Sequence, residues 1–349
     1  MSGTQGNRRS IISATVDFDA PGKQLGVLRV PHSVHRSAYG HIAIPIAVIK
    51  NGKGPTVLLT GGVHGDEYEG PIALSKLVRK LNTTDVAGTI IVIPALNYPA
   101  FMAASRVSPI DSINLNRAFP GNRDGTVTEM IAHYVTTELL PRAAYLFDFH
   151  AGGSSLHYLP SLLVPFYGQG DDSAEIDRLV EAFAPPRVIR YDAEKALSGE
   201  DRVISNYARQ LGVKFLTGEF GGGSSVNIEG LRAVEGGVLR YLDASGVLQL
   251  NEQLHRESCR TARSDRPQSY TMDDPGLFAF ANGPGFFEPA FQLGETLEDG
   301  AVAGHIYSNV RPWDEPETIR FRTGGLAICI RTFAQVKAGD CLGHLARPV

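Results

Sequence analysis

Between about residues 55 and 250, the 349-residue chain alternates short apolar runs with longer segments of helical spacing. Nothing else in the sequence restricts the fold as much. The runs at 56–60, 89–93, 144–149, 161–165 and 214–218 read as buried strands. Residues 70–81 bring Ile72, Leu74, Leu77 and Leu81 near one helical face. Residues 127–140 set Val127, Ile131, Val135 and Leu139 four apart, and 201–211 repeat the pattern with Val203, Ile204, Tyr207 and Leu211. This alternation predicts an α/β fold with a mixed, mostly parallel sheet flanked by helices. The β-like runs at 26–30 and 41–49 predict an antiparallel edge to the same sheet.

The character changes near residue 255. The segment HRESCRTARSDRPQSYTMDDPG is polar and poor in aliphatic residues, and it reads as a linker. Beyond it, glycine-broken runs at 277–281, 285–289, 304–308, 318–322 and 326–331 predict a small all-β barrel or sandwich. The expected division is a catalytic domain over residues 1–258 and a β domain over 259–349. A chain of this length exceeds most single cores.

A composition 43% hydrophobic and 20% charged, with net charge −4, belongs to a globular protein. The mild acidity disfavours nucleic acid or an anionic membrane as partner. Cys259, Cys329 and Cys341 form no CxxC pair, which argues against a disulfide framework or a thiolate zinc site. No apolar run reaches the ~18–20 residues of a membrane span. The amino-terminal MSGTQGNRRS has no apolar stretch behind its basic residues, so a signal peptide is not expected. The expectation is a cytoplasmic protein, with a dimer or tetramer as the ordinary assembly.

Parallel sheets bind ligands beyond the carboxyl ends of their strands. After the run at 56–60 come His64, Asp66 and Glu67. After 89–93 comes a long loop holding Arg106, Asn114, Asn116 and Arg117. Asp148 and His150 close the run at 144–149, and Glu219 follows 214–218. His64 and Glu67 can converge on one cation, with Gly65 relieving crowding between them; the acids could instead serve the positive end of the next helix. Asp148 and His150 share a strand face, though a lone histidine there could simply be satisfied by backbone. Together, two imidazoles and a carboxylate suit a zinc site with an open fourth position, as in hydrolases that activate water. Zinc lowers the pKa of its water towards ~7, and Glu219 could take the proton and pass it to a leaving amine. Otherwise Glu219 is a strand-end acid paired with an arginine. Its neighbours Gly218 and Gly221 to Gly223 favour close approach of a ligand, or a plain loop. Arg117 with Asn116 suits a substrate carboxylate, and Arg106 a developing oxyanion. Either arginine could instead sit in a structural salt bridge.

HGDE at 64–67, NLNRAFPG at 114–121, DFH at 148–150 and GEFGG at 218–222 occur in that order. They resemble the succinylglutamate desuccinylase/aspartoacylase branch of the zinc carboxypeptidase fold, over about residues 40–345. The resemblance implies one zinc ion on His64, Glu67 and His150, with Glu219 as general base. It also implies that Arg106 polarises the carbonyl and that Asn116 and Arg117 hold the substrate carboxylate. One departure stands out: the family usually reads Asp-Leu-Asn-Arg, and Asn114 replaces the Asp. In related zinc carboxypeptidases that Asp orients a ligating histidine, and an amide raises ligand basicity less. Within the branch, GGVHGDEYEGP, NLNRAFPGN and DFHAGG resemble the deacetylases that act on N-α-acetyl-L-2,4-diaminobutyrate in ectoine breakdown.

Three functions are then in play. The first is a zinc-dependent amide hydrolase acting on a small N-acyl amino acid, of the diaminobutyrate, aspartoacylase or succinylglutamate desuccinylase type. The second is a metallocarboxypeptidase, which shares every ligand. The third is a non-enzymatic binding protein on the same fold, against which the intact His, Glu, His and Glu set speaks. A basic substrate side chain would need a carboxylate, for which Asp66, Glu69, Asp148 and Glu288 are the candidates. No G-x-S-x-G elbow occurs, which disfavours a serine hydrolase, although Ser154 and Ser155 lie near His157. His32, His35, His41, His133, His255, His305 and His344 read as surface or core residues.

Overall fold

The computed structural model describes residues 9–165, 171–192, 202–260 and 267–349. A two-residue strand β1 (Ser13–Ala14) and two ten-residue strands, β2 (Gly22–Pro31) and β3 (His41–Lys50), form the expected antiparallel edge. Next come β4 (Thr56–Gly61), α1 (Glu69–Lys80), β5 (Thr89–Ile93), α2 (Tyr98–Met102) and α3 (Val127–Tyr134). A π turn over Val135–Leu139 continues α3 towards β6 (Tyr145–His150). The larger part is completed by β7 (Leu156–Tyr158), β8 (Ser161–Pro165), α4 (Asp171–Phe183), β9 (Arg187–Tyr191), α5 (Ile204–Gln210), β10 (Lys214–Glu219), α6 (Ile228–Ala244) and α7 (Glu252–Ser258). The C-terminal strands are β11 (Gln268–Thr271), β12 (Phe278–Phe280), β13 (Gly285–Pro289), β14 (Thr296–Leu297), β15 (Val302–Tyr307), β16 (Glu317–Arg320), β17 (Gly325–Arg331), β18 (Gln335–Val336) and β19 (Cys341–Pro348).

Helix α1 shows why these segments fold as they do. Glu69 in its first turn and Arg79 and Lys80 in its last complement the helix dipole. Pro71 lies in the first turn, where its missing N–H leaves no bond unmade. Ala73, Leu74 and Leu77 bury one face in a core that includes Phe147 and Phe149. Each fully buried leucine contributes about 1.5–3 kcal/mol. Strand β5, TIIVI, is buried along its whole length, as suits a parallel strand covered on both faces.

The main sheet runs β1-β2-β3-β5-β4-β6-β10-β8-β9-β11-β19-β17-β14. Strands β5, β4, β6 and β10 are parallel, so their carboxyl ends open on one edge. Strand β8 enters antiparallel to β10, and β9 and β11 then follow parallel to β8. The segment read as a linker has structure of its own: it holds the end of α7 and all of β11. Strand β11 pairs with β9 on one side and β19 on the other, which carries the main sheet into the C-terminal module. Residues 261–266 of that segment lie outside the described residues. Tyr270 is the buried residue of β11, so no apolar run marks the strand. A second sheet, β16-β15-β13-β18, shares a core with Leu277, Phe321 and Leu342. Strand β7 of the larger part pairs with β17. Among the described residues, no helix is long and apolar enough to cross a membrane.

Candidate functional site

The parallel register of β6 and β10 sets the site. His150 ends β6, and its partner across the ladder is Glu219, the last residue of β10. The two backbones are therefore one strand spacing apart, about 4.8 Å. Alternation sends Phe147 and Phe149 into one core with rings stacked at 4.0 Å, and turns Asp148 and His150 to the other face. Beyond β4, the chain turns through His64 and Glu67 before α1 begins. In this turn a Cβ on Gly65 would lie 2.0 Å from the carbonyl carbon of Ala100. Gly65 therefore admits helix α2; it does not serve to relieve crowding between His64 and Glu67.

The ligand atoms of His64, Glu67 and His150 lie within 4.8 Å of one another, and all three residues are buried. His64 Nδ1 is 2.6 Å from Glu67 Oε1, and His150 Nδ1 is 2.9 Å from Glu67 Oε2. The other ring nitrogens are already engaged. His64 Nε2 donates to Asn114 Oδ1 at 3.1 Å, and His150 Nε2 donates to Asp148 Oδ2 at 2.8 Å. Partners of this kind turn both Nδ1 atoms towards Glu67, as they do in metal-binding histidines. Two imidazole nitrogens and a carboxylate are donors that zinc favours, so the set fits such an ion. The Asn114 departure is also explained. The amide oxygen still orients His64, and Asp148 does not stand in for it, because Asp148 serves His150 and is itself held by Thr60 Oγ1 at 2.7 Å.

Burial pushes the Glu67 carboxyl up, but the imidazoles of His64 and His150 outweigh it and hold Glu67 below the ordinary carboxylate value. Burial opposes charge on His150 too, yet the carboxylates of Asp148 and Glu67 raise it well above the usual imidazole range. Burial lowers His64. Glu219 moves opposite to Glu67. Burial, and then the charge of Glu67, push its carboxyl up to about 8. Its Oε2 is buried without a partner among the described residues. A carboxyl displaced towards neutrality beside a cation site suits proton transfer, and a dication among the three donors would favour its ionised form.

Arg106, Asn116 and Arg117 line the same cavity of about 420 Å³ as His64, Glu67, His150 and Glu219. All seven residues singled out from the sequence meet there. Arg106 Nη1 is 3.8 Å from Glu67 Oε1, and its side chain is 49% exposed. Arg117 Nη1 donates to the Asn116 carbonyl at 2.7 Å. His157 is not on the cavity wall; its Nε2 lies 3.2 Å from Asn227 Nδ2. Ser154 Oγ donates to Asp66 at 2.7 Å, so it makes no serine–histidine pair. The glycines after Glu219 are approached by protein and not by open space for a ligand: a Cβ on Gly222 would lie 2.1 Å from the Leu156 carbonyl oxygen.

Of the four carboxylates considered for a basic side chain, Asp148 alone lines the cavity. Asp66 is held by Ser154, Glu69 by the Asn227 N–H at 2.7 Å, and Glu288 by Tyr307 in the small sheet. Sequence reasoning missed the far wall, which includes Tyr158, Asp192, Asp273, Phe278 and His344. These residues come from β7, the end of β9, the stretch after β11, and strands β12 and β19. His344, read as a surface or core residue, is a buried part of this wall. The pairing of β11 with β9 and β19, together with that of β7 with β17 and of β12 with β19, brings these residues together, and no short motif records it.

The site is thus a His-Glu-His cluster at the strand ends of a mixed sheet. The chain belongs to the succinylglutamate desuccinylase/aspartoacylase family, whose catalytic domain matches residues 53–245. Among its relatives is the N-alpha-acetyl-L-2,4-diaminobutyric acid deacetylase of Halomonas elongata, 37% identical over 359 positions that span 100% of this chain and 99% of that protein. The product-bound structure of the ectoine utilization protein EutE (DoeB) from Ruegeria pomeroyi is similar with a TM-score of 0.89 and 37% identity, covering 97% of this chain and 100% of that one. A succinylglutamate desuccinylase from Silicibacter sp. TM1040 also gives a TM-score of 0.89, at 34% identity, covering 98% of this chain and 100% of the other.

Proposed function

We propose that the protein is a zinc-dependent deacylase that hydrolyses the amide bond of an N-acyl amino acid, with N-α-acetyl-L-2,4-diaminobutyrate as substrate in ectoine breakdown. One observation carries this reading: His64, Glu67 and His150 converge within 4.8 Å. The full-length likeness to the Halomonas elongata deacetylase supports the choice of substrate. One zinc ion per chain on these three residues would polarise the acyl carbonyl and make the attacking water more acidic.

Glu219 removes a proton from the attacking water as its oxygen bonds to the acyl carbon. Arg106 stands beside the carbonyl oxygen as negative charge develops there. The C–N bond then breaks, and Glu219 returns the proton to the leaving nitrogen, which gives acetate and the free amino acid. Arg117, with Asn116, holds the α-carboxylate by paired hydrogen bonds. A cytoplasmic setting suits the three cysteines, which are all free. The test is a panel of acetylated and succinylated amino acids and short peptides, run with zinc-loaded and chelator-treated protein. The reading expects zinc-dependent acetate release, fastest from acetylated diaminobutyrate. Release of carboxy-terminal residues from peptides, with no acetate from any acetylated amino acid, would replace it with the carboxypeptidase reading.

A further inference from the structure

We propose that Tyr158 donates a catalytic hydrogen bond to the scissile amide, and that His344, on β19 of the C-terminal module, is the positioning residue that aims it. The proposal rests on the deacylase reading. Both residues line the cavity, and His344 Nε2 lies 3.0 Å from the Tyr158 hydroxyl. His344 is only 4% exposed, and its ring stacks on Phe278 at 4.8 Å. Its Nδ1 is buried with no partner among the described residues.

The tautomer follows from that unpaired atom. A hydrogen on Nδ1 would be a buried donor with the Leu345 backbone nearby but no acceptor in hydrogen-bonding geometry, the rarer and costlier kind of unsatisfied group. A bare lone pair there is better tolerated. The hydrogen therefore sits on Nε2 and is given to the Tyr158 oxygen. Tyr158 keeps one hydrogen of its own to donate. That hydrogen is given to the Cys329 sulfur, a weak acceptor, and the charge of Glu219 also acts on the phenol. Burial keeps both groups neutral, lowering His344 to about 4 and raising Tyr158. The Tyr158 N–H also donates to the Gly221 carbonyl at 2.9 Å, which fixes this tyrosine beside the loop that follows Glu219. The phenol is thus anchored on the cavity wall beside the loop after Glu219, with its hydrogen held by a weak acceptor that an acyl oxygen would displace. Such a bond strengthens as charge develops, so its loss falls on kcat.

The test is steady-state kinetics on zinc-loaded protein with an acetylated amino acid. Tyr158→Phe should lower kcat roughly 10- to 100-fold, with KM within about twofold of wild type. His344→Leu should lose about tenfold when Tyr158 is present and nothing further in the Tyr158→Phe background. His344→Gln, which keeps an N–H at that end, should recover most of the loss. A wild-type kcat in Tyr158→Phe would overturn the proposal, as would an equal loss from His344→Leu in both backgrounds. If Tyr158→Phe fails to fold, the comparison of His344→Leu with His344→Gln decides, because equal kcat values in those two would overturn the proposal. Wild-type hydrolysis reports on the deacylase reading, and the ratios between variants report on Tyr158 and His344, so the two can fail separately.

Discussion

The cavity has two walls of different origin. One is built at the ends of β4, β6 and β10 and in the loop after β5, and it carries the ionisable groups His64, Glu67, Arg106, His150 and Glu219. The other, from β7, β9, β12 and β19 with the stretch after β11, adds Phe278, Phe280, Tyr158 and His344, and also Asp192 and Asp273. The first wall is assembled from short motifs, each at one strand end. The second exists only because distant strands pair. The comparison teaches a division of labour. The His-Glu-His cluster and Glu219 lie on the first wall, while the second adds aromatic surface, the neutral Tyr158 and His344, and two carboxylates, Asp192 and Asp273.

Substitutions on the first wall should have the largest effects. Glu219→Gln should lower kcat by about 10³-fold while zinc content, read by elemental analysis, stays at wild-type level. Wild-type turnover in that variant would remove proton transfer from this wall. Arg117→Met should raise KM about 10- to 100-fold with a smaller effect on kcat, since it removes binding that ground state and transition state share. Initial-rate kinetics separate the two constants.

The two histidine partners offer a finer comparison within the same wall. Asp148→Asn should weaken zinc about 10- to 100-fold in competition with a chelator. Asn114→Asp should tighten it, by making His64 a more basic ligand. Equal affinities in both variants would mean that neither acceptor tunes the metal.

The second wall also yields an effect seen in stability. Burial lowers folded His344 to about 4 from the ordinary 6.5. Between those values the unfolded chain binds the proton and the folded chain does not. Stability is therefore full above the unfolded pKa and is lost as the pH falls from 6.5 towards 4. His344→Gln should flatten this acid limb by up to about 1.4 kcal/mol per pH unit in denaturant unfolding. An unchanged slope would show that His344 is charged in the folded protein.

How much could be read beforehand follows the same division. The strand runs at 56–60, 89–93 and 161–165 and the α1 periodicity were visible because each buries a continuous apolar surface. The candidate metal donors were visible because a parallel sheet places its chemistry just past such runs. Strand β11 was hidden because QSYT buries one side chain, and it reads as linker until its partners are known. His344 was hidden because a single histidine in an alternating strand carries no local signature; its role depends on Tyr158, 186 residues away in the chain. Gly65 was visible as a glycine, but its reason, the approach of Ala100, is a tertiary contact.

The central claim is that the first wall holds one metal ion. Anomalous X-ray diffraction at the zinc edge, on crystals of zinc-loaded protein, tests it most directly. The account predicts a single strong peak per chain, about 2.0–2.2 Å from His64 Nδ1, His150 Nδ1 and a Glu67 carboxylate oxygen. A fully loaded crystal with its peak elsewhere, or with none between these three side chains, would contradict it.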